Sequence, residues 1–305
     1  VILVAGLSPA WQQILRFDAF SVGEVNRAAE AHWCASGKAV NVAWALKRLG
    51  ADVKLLSTVG GTSGEQLREQ VEREQIDAEW VTTAQPTRVC TTIIDTPCGS
   101  ITELVENTPP ASDAELAAFL AAFERLARDA QLVLLTGSLP TGTPETYYRD
   151  LLRRVPCPML LDFRGAGLVA ALEVKPLLVK PNREELLQTC QAHGKSVEVT
   201  AGIEWLRRGG AQWVLITDGG GEIFAAGAEA NLRIMPPRVS VVNPIGSGDC
   251  LLAGIAWGLQ ENRPMDEAIR LGVAAASLNA SELLPARLYP AAVRSVAASL
   301  AVKKV

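Results

Sequence analysis

The chain is poor in histidine, holding only His32 and His193 among 305 residues. A Ser-His-Asp triad, a three-histidine metal site and a histidine general base are thereby nearly excluded, and acid–base work falls to carboxylates or lysine. His32 reads as a lid or loop residue, and His193 lies in a polar loop from Gln191 to Lys195. The six cysteines, at positions 34, 90, 98, 157, 190 and 250, form no C-x-x-C pair and no zinc spacing. They read as reduced thiols of a cytosolic protein. No apolar run reaches the length of a membrane span, and no signal peptide is visible. The chain opens on Val1 without methionine, which suggests that a few N-terminal residues are missing or processed. Net charge is −4 without a long basic run, so nucleic acid is not an evident partner. Two common nucleotide fingerprints are also absent. A Walker A loop fails at Gly37-Lys38, where Ala39 follows and His32 stands in place of the first glycine. A G-x-G-x-x-G fails after Gly246 and Gly248, because Leu251 takes the third glycine's place.

What is present is enough apolar residue, 49%, to bury a large core. That suggests one big α/β domain, with or without a small appendage, or two domains. Residues 1–7 read as a buried strand ended by Ser8-Pro9-Ala10, and 14–33 as irregular strands without helical period. Residues 40–49 read as a helix closed by Gly50, and 53–59 as a strand. Ser63 with Gln66 forms a capping box that opens the next helix, and Ser112 with Glu115 forms another, for a helix to about 128. Runs 88–94 and 100–105 flank Thr96-Pro97-Cys98-Gly99, a hairpin signal. Strands follow over 132–135, 159–161, 177–179 and 213–217, with helices from Pro144, after Asn182 and over 200–208. Two short strands are expected near Ile223 and Leu232, and a β-branched strand over 239–242. Helices over 251–259 and 265–278 and one from Pro290 complete the chain. Alternating strands and helices predict an α/β fold with a largely parallel sheet. Gly137, Asp162, Lys180, Gly219 and Asn243 fall at strand carboxyl ends, where open α/β sheets bind ligands.

Four clusters carry chemistry. In Asn243-Pro244-Ile245-Gly246-Ser247-Gly248-Asp249 the amides of Gly246, Ser247 and Gly248 are placed to face one anion at a helix start. Asp249 at its mouth suits a base that takes a proton from an attacking hydroxyl; a tight turn with Asp249 as helix N-cap is the plainer meaning. In Lys180-Pro181-Asn182-Arg183-Glu184-Glu185, Asn182 and Glu185 lie three apart and suit Mg²⁺ held through water, or simply a capping box. Thr217-Asp218-Gly219-Gly220-Gly221 wraps a nucleotide or makes a hairpin turn. Ser36-Gly37-Lys38-Ala39-Val40-Asn41 offers Lys38 and Asn41 to a sugar, or is a loop with a solvated lysine.

In this order, with Gly23-Glu24-Val25-Asn26-Arg27 and Gly137-Ser138-Leu139-Pro140, the chain resembles the PfkB family of sugar kinases, which has the ribokinase-like fold. Its Asn243-Pro244 start resembles the tagatose-6-phosphate kinase and 1-phosphofructokinase group. The resemblance covers the whole chain. It implies one kinase domain over 1–305: a central, mostly parallel sheet flanked by helices, with a small β lid from about 14–33 and 88–105. It implies transfer of the ATP γ-phosphoryl group, with Mg²⁺, to a hydroxyl of a ketohexose phosphate of the tagatose-6-phosphate or fructose-phosphate type. By that likeness Asp249 is the base and Gly246, Ser247 and Gly248 the anion hole. Lys180, Asn182 and Glu185 position ATP and Mg²⁺, Asn182 and Glu185 holding the metal through water. Thr217, Gly219 and Asn279 line the nucleotide pocket. Gly37, Lys38, Asn41 and Arg88 face the sugar phosphate, with Ser138 close by. A homodimer through the lid and a cytoplasmic location are implied too.

Departures fall on the sugar side. Gln12 stands where the family's Asn-Pro-x-x-Asp run has its carboxylate, Ala39 where a glycine is usual, and Arg164 adds a charge in Asp162-Phe163-Arg164-Gly165. A methyl at Ala39 is expected to crowd the sugar. The alternatives are a PfkB kinase for another sugar or a nucleoside, and a non-catalytic sugar-phosphate sensor with the same fold.

Overall fold

A computed structural model describes residues 1–304. Strand β1 (Ile2–Ala5) pairs in parallel with β4 (Val53–Val59) on one side and β8 (Leu132–Thr136) on the other. Residues 2–5 and 132–135 are uninterrupted apolar runs because both sheet faces are covered, while β4 interposes Lys54, Ser57 and Thr58. Side chains alternate between two cores, Ile2 and Val4 on one side, Leu3 and Ala5 on the other. The first core is closed by α1 (Lys38–Arg48), α2 (Gly61–Arg73), α8 (Ser247–Gln260), α9 (Met265–Ala280) and α10 (Pro290–Ser299). The second is closed by α3 (Asp113–Ala127), α4 (Tyr147–Leu152), α5 (Gly165–Ala171), α6 (Arg183–Ala192) and α7 (Val199–Gly209).

The sheet continues through β9 (Met159–Asp162), β10 (Leu178–Val179) and β11 (Trp213–Ile216), all parallel. It ends in antiparallel β12 (Ile223–Ala226), β13 (Asn231–Ile234) and β14 (Val302–Lys304). At the far edge β5 (Asp77–Thr82) pairs with β4, giving ten strands. A second sheet has four strands: β2 (Ala10–Phe17), β3 (Glu30–Ser36), β6 (Val89–Asp95) and β7 (Ser100–Val105), in the order β3-β2-β6-β7. Its Ile14, Cys34 and Ile94 pack on Leu283 and Leu284, in the loop after α9.

Helix α8 is seated against α9 at backbone distance. A methyl on Gly254 would come within 2.7 Å of the Gly272 Cα, so only glycine allows this approach. The start of α8 is thereby fixed relative to the sheet.

Several local expectations need correction. Residues 239–242 form no strand: β14 occupies the free edge of β13, and Val241 is 60% exposed on a loop. Ser63 does not cap α2. Gly60 takes that position, and the Ser63 hydroxyl donates to the Thr87 carbonyl at 2.6 Å. The helix expected from Pro144 begins at Tyr147, after a turn in which the Tyr147 amide bonds the Pro144 carbonyl. Of the irregular strands expected over 14–33, residues 14–17 and 30–33 belong to regular strands, β2 starting at Ala10 and β3 reaching Ser36, and 18–29 connect them without strand. Strands β5 and β14 and helix α5 lie outside the sequence expectations.

Candidate active site

The sheet's carboxyl edge, the start of α8 and one face of the second sheet enclose a cavity of about 600 Å³. Gly246 precedes α8 in the left-handed region, φ 81°, a conformation glycine adopts without strain. Among the described residues no acceptor takes the amides of Gly246 or Gly248, and both residues line the cavity. The Ser247 amide differs from expectation: it is spent within the turn on the Pro244 carbonyl at 3.1 Å. A methyl on Gly248 would stand 3.4 Å from Lys180 Nζ, so an ammonium overhangs this cradle.

Two buried asparagines hold the turn. Asn243 Oδ1 accepts from the Ile245 amide at 3.1 Å, and its Nδ2 donates to the Leu283 carbonyl at 2.9 Å. Asn279 Nδ2 donates to the Ile245 carbonyl and to Ser247 Oγ, both at 3.0 Å, while its Oδ1 accepts from the Ala286 amide at 2.8 Å. Asn279, expected in the nucleotide-pocket wall, is fully buried behind the turn and outside the cavity lining. All its polar atoms are engaged, which leaves none for a ligand.

Asp249 is the third residue of α8 rather than its N-cap, and it is 6% exposed. Its Oδ2 accepts from Asn41 Nδ2 at 2.8 Å. Burial pushes its pKa up to about 6; the neighbouring Asp162 charge adds to this, and Lys38, Asn41 and Lys180 pull the other way. Asn41 comes from α1, which begins after Gly37. There φ is 97°, and a side chain would strike the Pro9 Cα at 2.7 Å.

Asp162, at the end of β9, joins the cluster; the sequence placed it at the ligand-binding edge of the sheet without giving it a role. It is 1% exposed and pairs with Lys38 Nζ at 3.2 Å and Lys180 Nζ at 3.3 Å. Burial pushes its carboxyl up, but the two ammonium groups outweigh that and hold it below its ordinary value. Burial lowers Lys38, and the carboxylates of Asp162, Glu185 and Asp249 more than reverse it, holding the ammonium above its ordinary range. The signal available in sequence was position alone, a carboxylate at a strand's carboxyl end.

Asn182 and Glu185 form the capping box of α6. Asn182 Oδ1 takes the Glu185 amide at 2.8 Å and Glu185 Oε2 takes the Asn182 amide at 3.0 Å. Glu185 Oε1 is left 4.0 Å from Lys38 Nζ. Among the described residues no three His, Cys, Asp or Glu side chains converge as a metal cluster. Thr217 and Gly219 sit on the β11–β12 connection and line the cavity, as do Ile223 and Val239.

On the second sheet, Gln12 is 4% exposed and donates its Nε2 to Thr92 Oγ1 at 2.7 Å. Arg88 lines the cavity, with its guanidinium donating to the carbonyls of Pro9 (3.3 Å), Glu106 (3.0 Å) and Ser8 (3.2 Å). Ser138 is exposed and lies outside the lining, as does Arg164. Ala39 is 6% exposed and also outside the lining; its methyl fills the space beside Gly6, where a Cβ would meet it at 2.8 Å. The methyl expected to crowd the sugar is thus directed to Gly6.

A parallel sheet with a second small sheet beside the cavity at its carboxyl edge places the molecule in the ribokinase-like class of α/β folds. Solved structures agree. A possible 1-phosphofructokinase from Thermotoga maritima is 21% identical, with full coverage of both chains and a TM-score of 0.89. Phosphofructokinase-2 from Escherichia coli, solved with substrates and products, is 22% identical over 98% of both chains, TM-score 0.87. Ribokinase from Thermotoga maritima is 19% identical over 97% of this chain and 98% of that one, TM-score 0.79. At these identities the likeness speaks for the fold. The pfkB family carbohydrate kinase model matches residues 10–291, and the chain belongs to that family of carbohydrate kinases.

Proposed function

We propose that this kinase transfers the γ-phosphoryl group of ATP to a hydroxyl of a ketohexose phosphate, of the tagatose-6-phosphate or fructose-phosphate type. The observation that carries the reading is Asp249, a buried carboxylate held at about 6 beside a cradle of unpaired amides under Lys180. In this reading the acceptor hydroxyl gives its proton to Asp249 as its oxygen bonds the γ-phosphorus. The bond to the bridging oxygen breaks, and that electron pair leaves with ADP. Gly246 and Gly248 receive the phosphoryl oxygens, and preorganised amides of this kind are most effective where charge develops. Lys180, above them, stabilises the same charge.

The residues also fit Mg²⁺ of the hydrated kind. Asn182 and Glu185 each commit an oxygen to the capping box, which leaves Glu185 Oε1 as one acceptor toward the cavity and favours contact through water. When bound, the ion would offset phosphate charge. Ile223, Val239 and Ala280 add apolar lining suited to a base.

We further propose that the second sheet is a lid and that two chains pair through it in the cytoplasm, where six free cysteines stay reduced. Trp33 and Leu104, 46% and 54% exposed, fall in one cross-strand row through Gln13 and Thr91. Light scattering that gives a monomer mass at micromolar concentration would remove the dimer.

Arg88 favours a second reading, an unphosphorylated sugar or a nucleoside as acceptor, since three carbonyls already hold its guanidinium. A panel of sugars, sugar phosphates and nucleosides, read by ADP release, separates the two. Asp249→Asn should lower kcat by about 10²–10⁴ while ATP still binds; an unchanged kcat refutes the assignment of the base.

A further inference from the structure

Seven charged side chains line the cavity: Lys38, Arg88 and Lys180 against Glu103, Asp162, Glu185 and Asp249. Three of the carboxylates are occupied. Asp162 pairs with two lysines, Glu185 caps α6, and Asp249 accepts from Asn41. Glu103 is different: among the described residues it has neither an ion pair nor a side-chain hydrogen bond, yet it faces the cavity. It sits on β7 directly across from Thr92, the residue that holds Gln12. Gln12 pairs across from Cys90, two residues from Thr92 on β6, so Gln12 and Glu103 share one face of the lid.

Resting on the kinase reading above, we infer that Glu103 reads hydroxyl groups of the acceptor and turns any acceptor phosphate away from β7. An ionised carboxylate accepts hydrogen bonds and donates none, so it recognises O–H groups and repels an anion. Gln12, whose Nε2 gives one of its two hydrogens to Thr92, is neutral and does not supply that charge. Arg88, the lid's cation in this cavity, is tied to Pro9, Glu106 and Ser8 and does not cancel Glu103 through a direct bond. The lid end therefore suits a polyhydroxylated carbon chain. A ketohexose phosphate would accordingly enter with its phosphate directed away from β7.

The test compares wild type with Glu103→Gln and Glu103→Ala. Glu103 is exposed at its cavity-facing position, so neither change disturbs packing. Binding of tagatose 6-phosphate and of fructose 6-phosphate is measured by calorimetry with a non-hydrolysable ATP analogue present, and turnover by ADP release. Both variants should weaken acceptor binding by about 10- to 100-fold, the loss of one charge-assisted hydrogen bond, with ATP binding unmoved. A series of monodeoxy acceptors locates the hydroxyl. The analogue that lacks it should bind wild type and Glu103→Gln equally, a coupling that a structural role does not produce. Unchanged acceptor binding in both variants overturns the inference, and so does an equal penalty for every deoxy analogue in wild type and variant. Absence of ADP release with every acceptor strikes the kinase reading instead, while the binding arm still decides the role of Glu103.

Discussion

Replacing Asp249 with asparagine should destroy activity and strengthen the fold. The carboxyl is ordinary at 3.8 in the unfolded chain and about 6 when buried. Folding therefore disfavours the charged form. The sign follows from linkage: a group whose folded pKa is raised contributes fully below its unfolded pKa, and the contribution is lost as pH rises through the folded value. Between pH 4 and 6 the native state loses about 3 kcal/mol relative to a chain with a neutral group there, and above 6 the loss is constant. Asparagine is neutral, nearly the same shape, and its Oδ1 can still accept from Asn41. For a chain of this size about 3 kcal/mol corresponds to roughly 6 °C in Tm. Thermal unfolding of both proteins across pH 4–8 should show curves that meet near pH 4 and part toward pH 6, the variant above. A variant less stable than wild type at pH 7 would mean that Asp249 is favourably solvated by its surroundings as an anion, and the argument for a strained base would fail. The same group sets the acid limb of wild-type kcat/KM, expected near pH 6.

Asp162→Asn removes the shared partner of two ammonium groups. Breaking a buried ion cluster costs about 3–5 kcal/mol, and the lower figure applies here because Lys38 keeps 37% side-chain exposure; urea unfolding measures it, and a loss under 1 kcal/mol counts against the cluster. The change also removes a charge that raises Asp249, so the acid limb of the rate profile should move to lower pH. Asn279→Ala leaves the Ala286 amide and the Ile245 carbonyl without their side-chain partner, at roughly 1–3 kcal/mol for each group left unpaired. Because that brace holds the turn before α8, kcat should fall at least tenfold with the fold retained, a result read by turnover and circular dichroism together; full activity would show that the turn keeps its shape unaided.

The parallel part of the fold was legible because buried strands announce themselves. Residues 2–5 and 132–135 are apolar runs that cannot face water, and capping at Ser112 and Asn182 needs only spacing within four residues. Strand β5 carried no such mark: Val81 is its one buried residue, as befits an edge. Residues 239–242 show the reverse case, β-branched residues with no open edge to join, so propensity lost to topology. The cradle was legible in its glycines, but the roles of Asn279 and Asp162 were not. Asn279 reaches residues 34 positions away in the chain, and Asp162 gains its importance from Lys38, 124 positions distant. Neither separation leaves a local pattern.

The departures on the sugar side resolve in the same way. Ala39 stands inside α1, where a helical backbone accepts alanine as readily as glycine, and its methyl faces Gly6 rather than the cavity. Arg164 precedes α5 on the exposed side of Asp162, so its charge never enters the lining. Gln12 alone alters the pocket chemically, and it does so by removing a charge from a position buried against Thr92. A carboxylate there would need a donor in place of its lost hydration; an amide supplies its own to Thr92 and costs less to bury. In the role inferred above for Glu103 the carboxylate keeps contact with solvent on β7, an edge strand of the second sheet, and need not be paired.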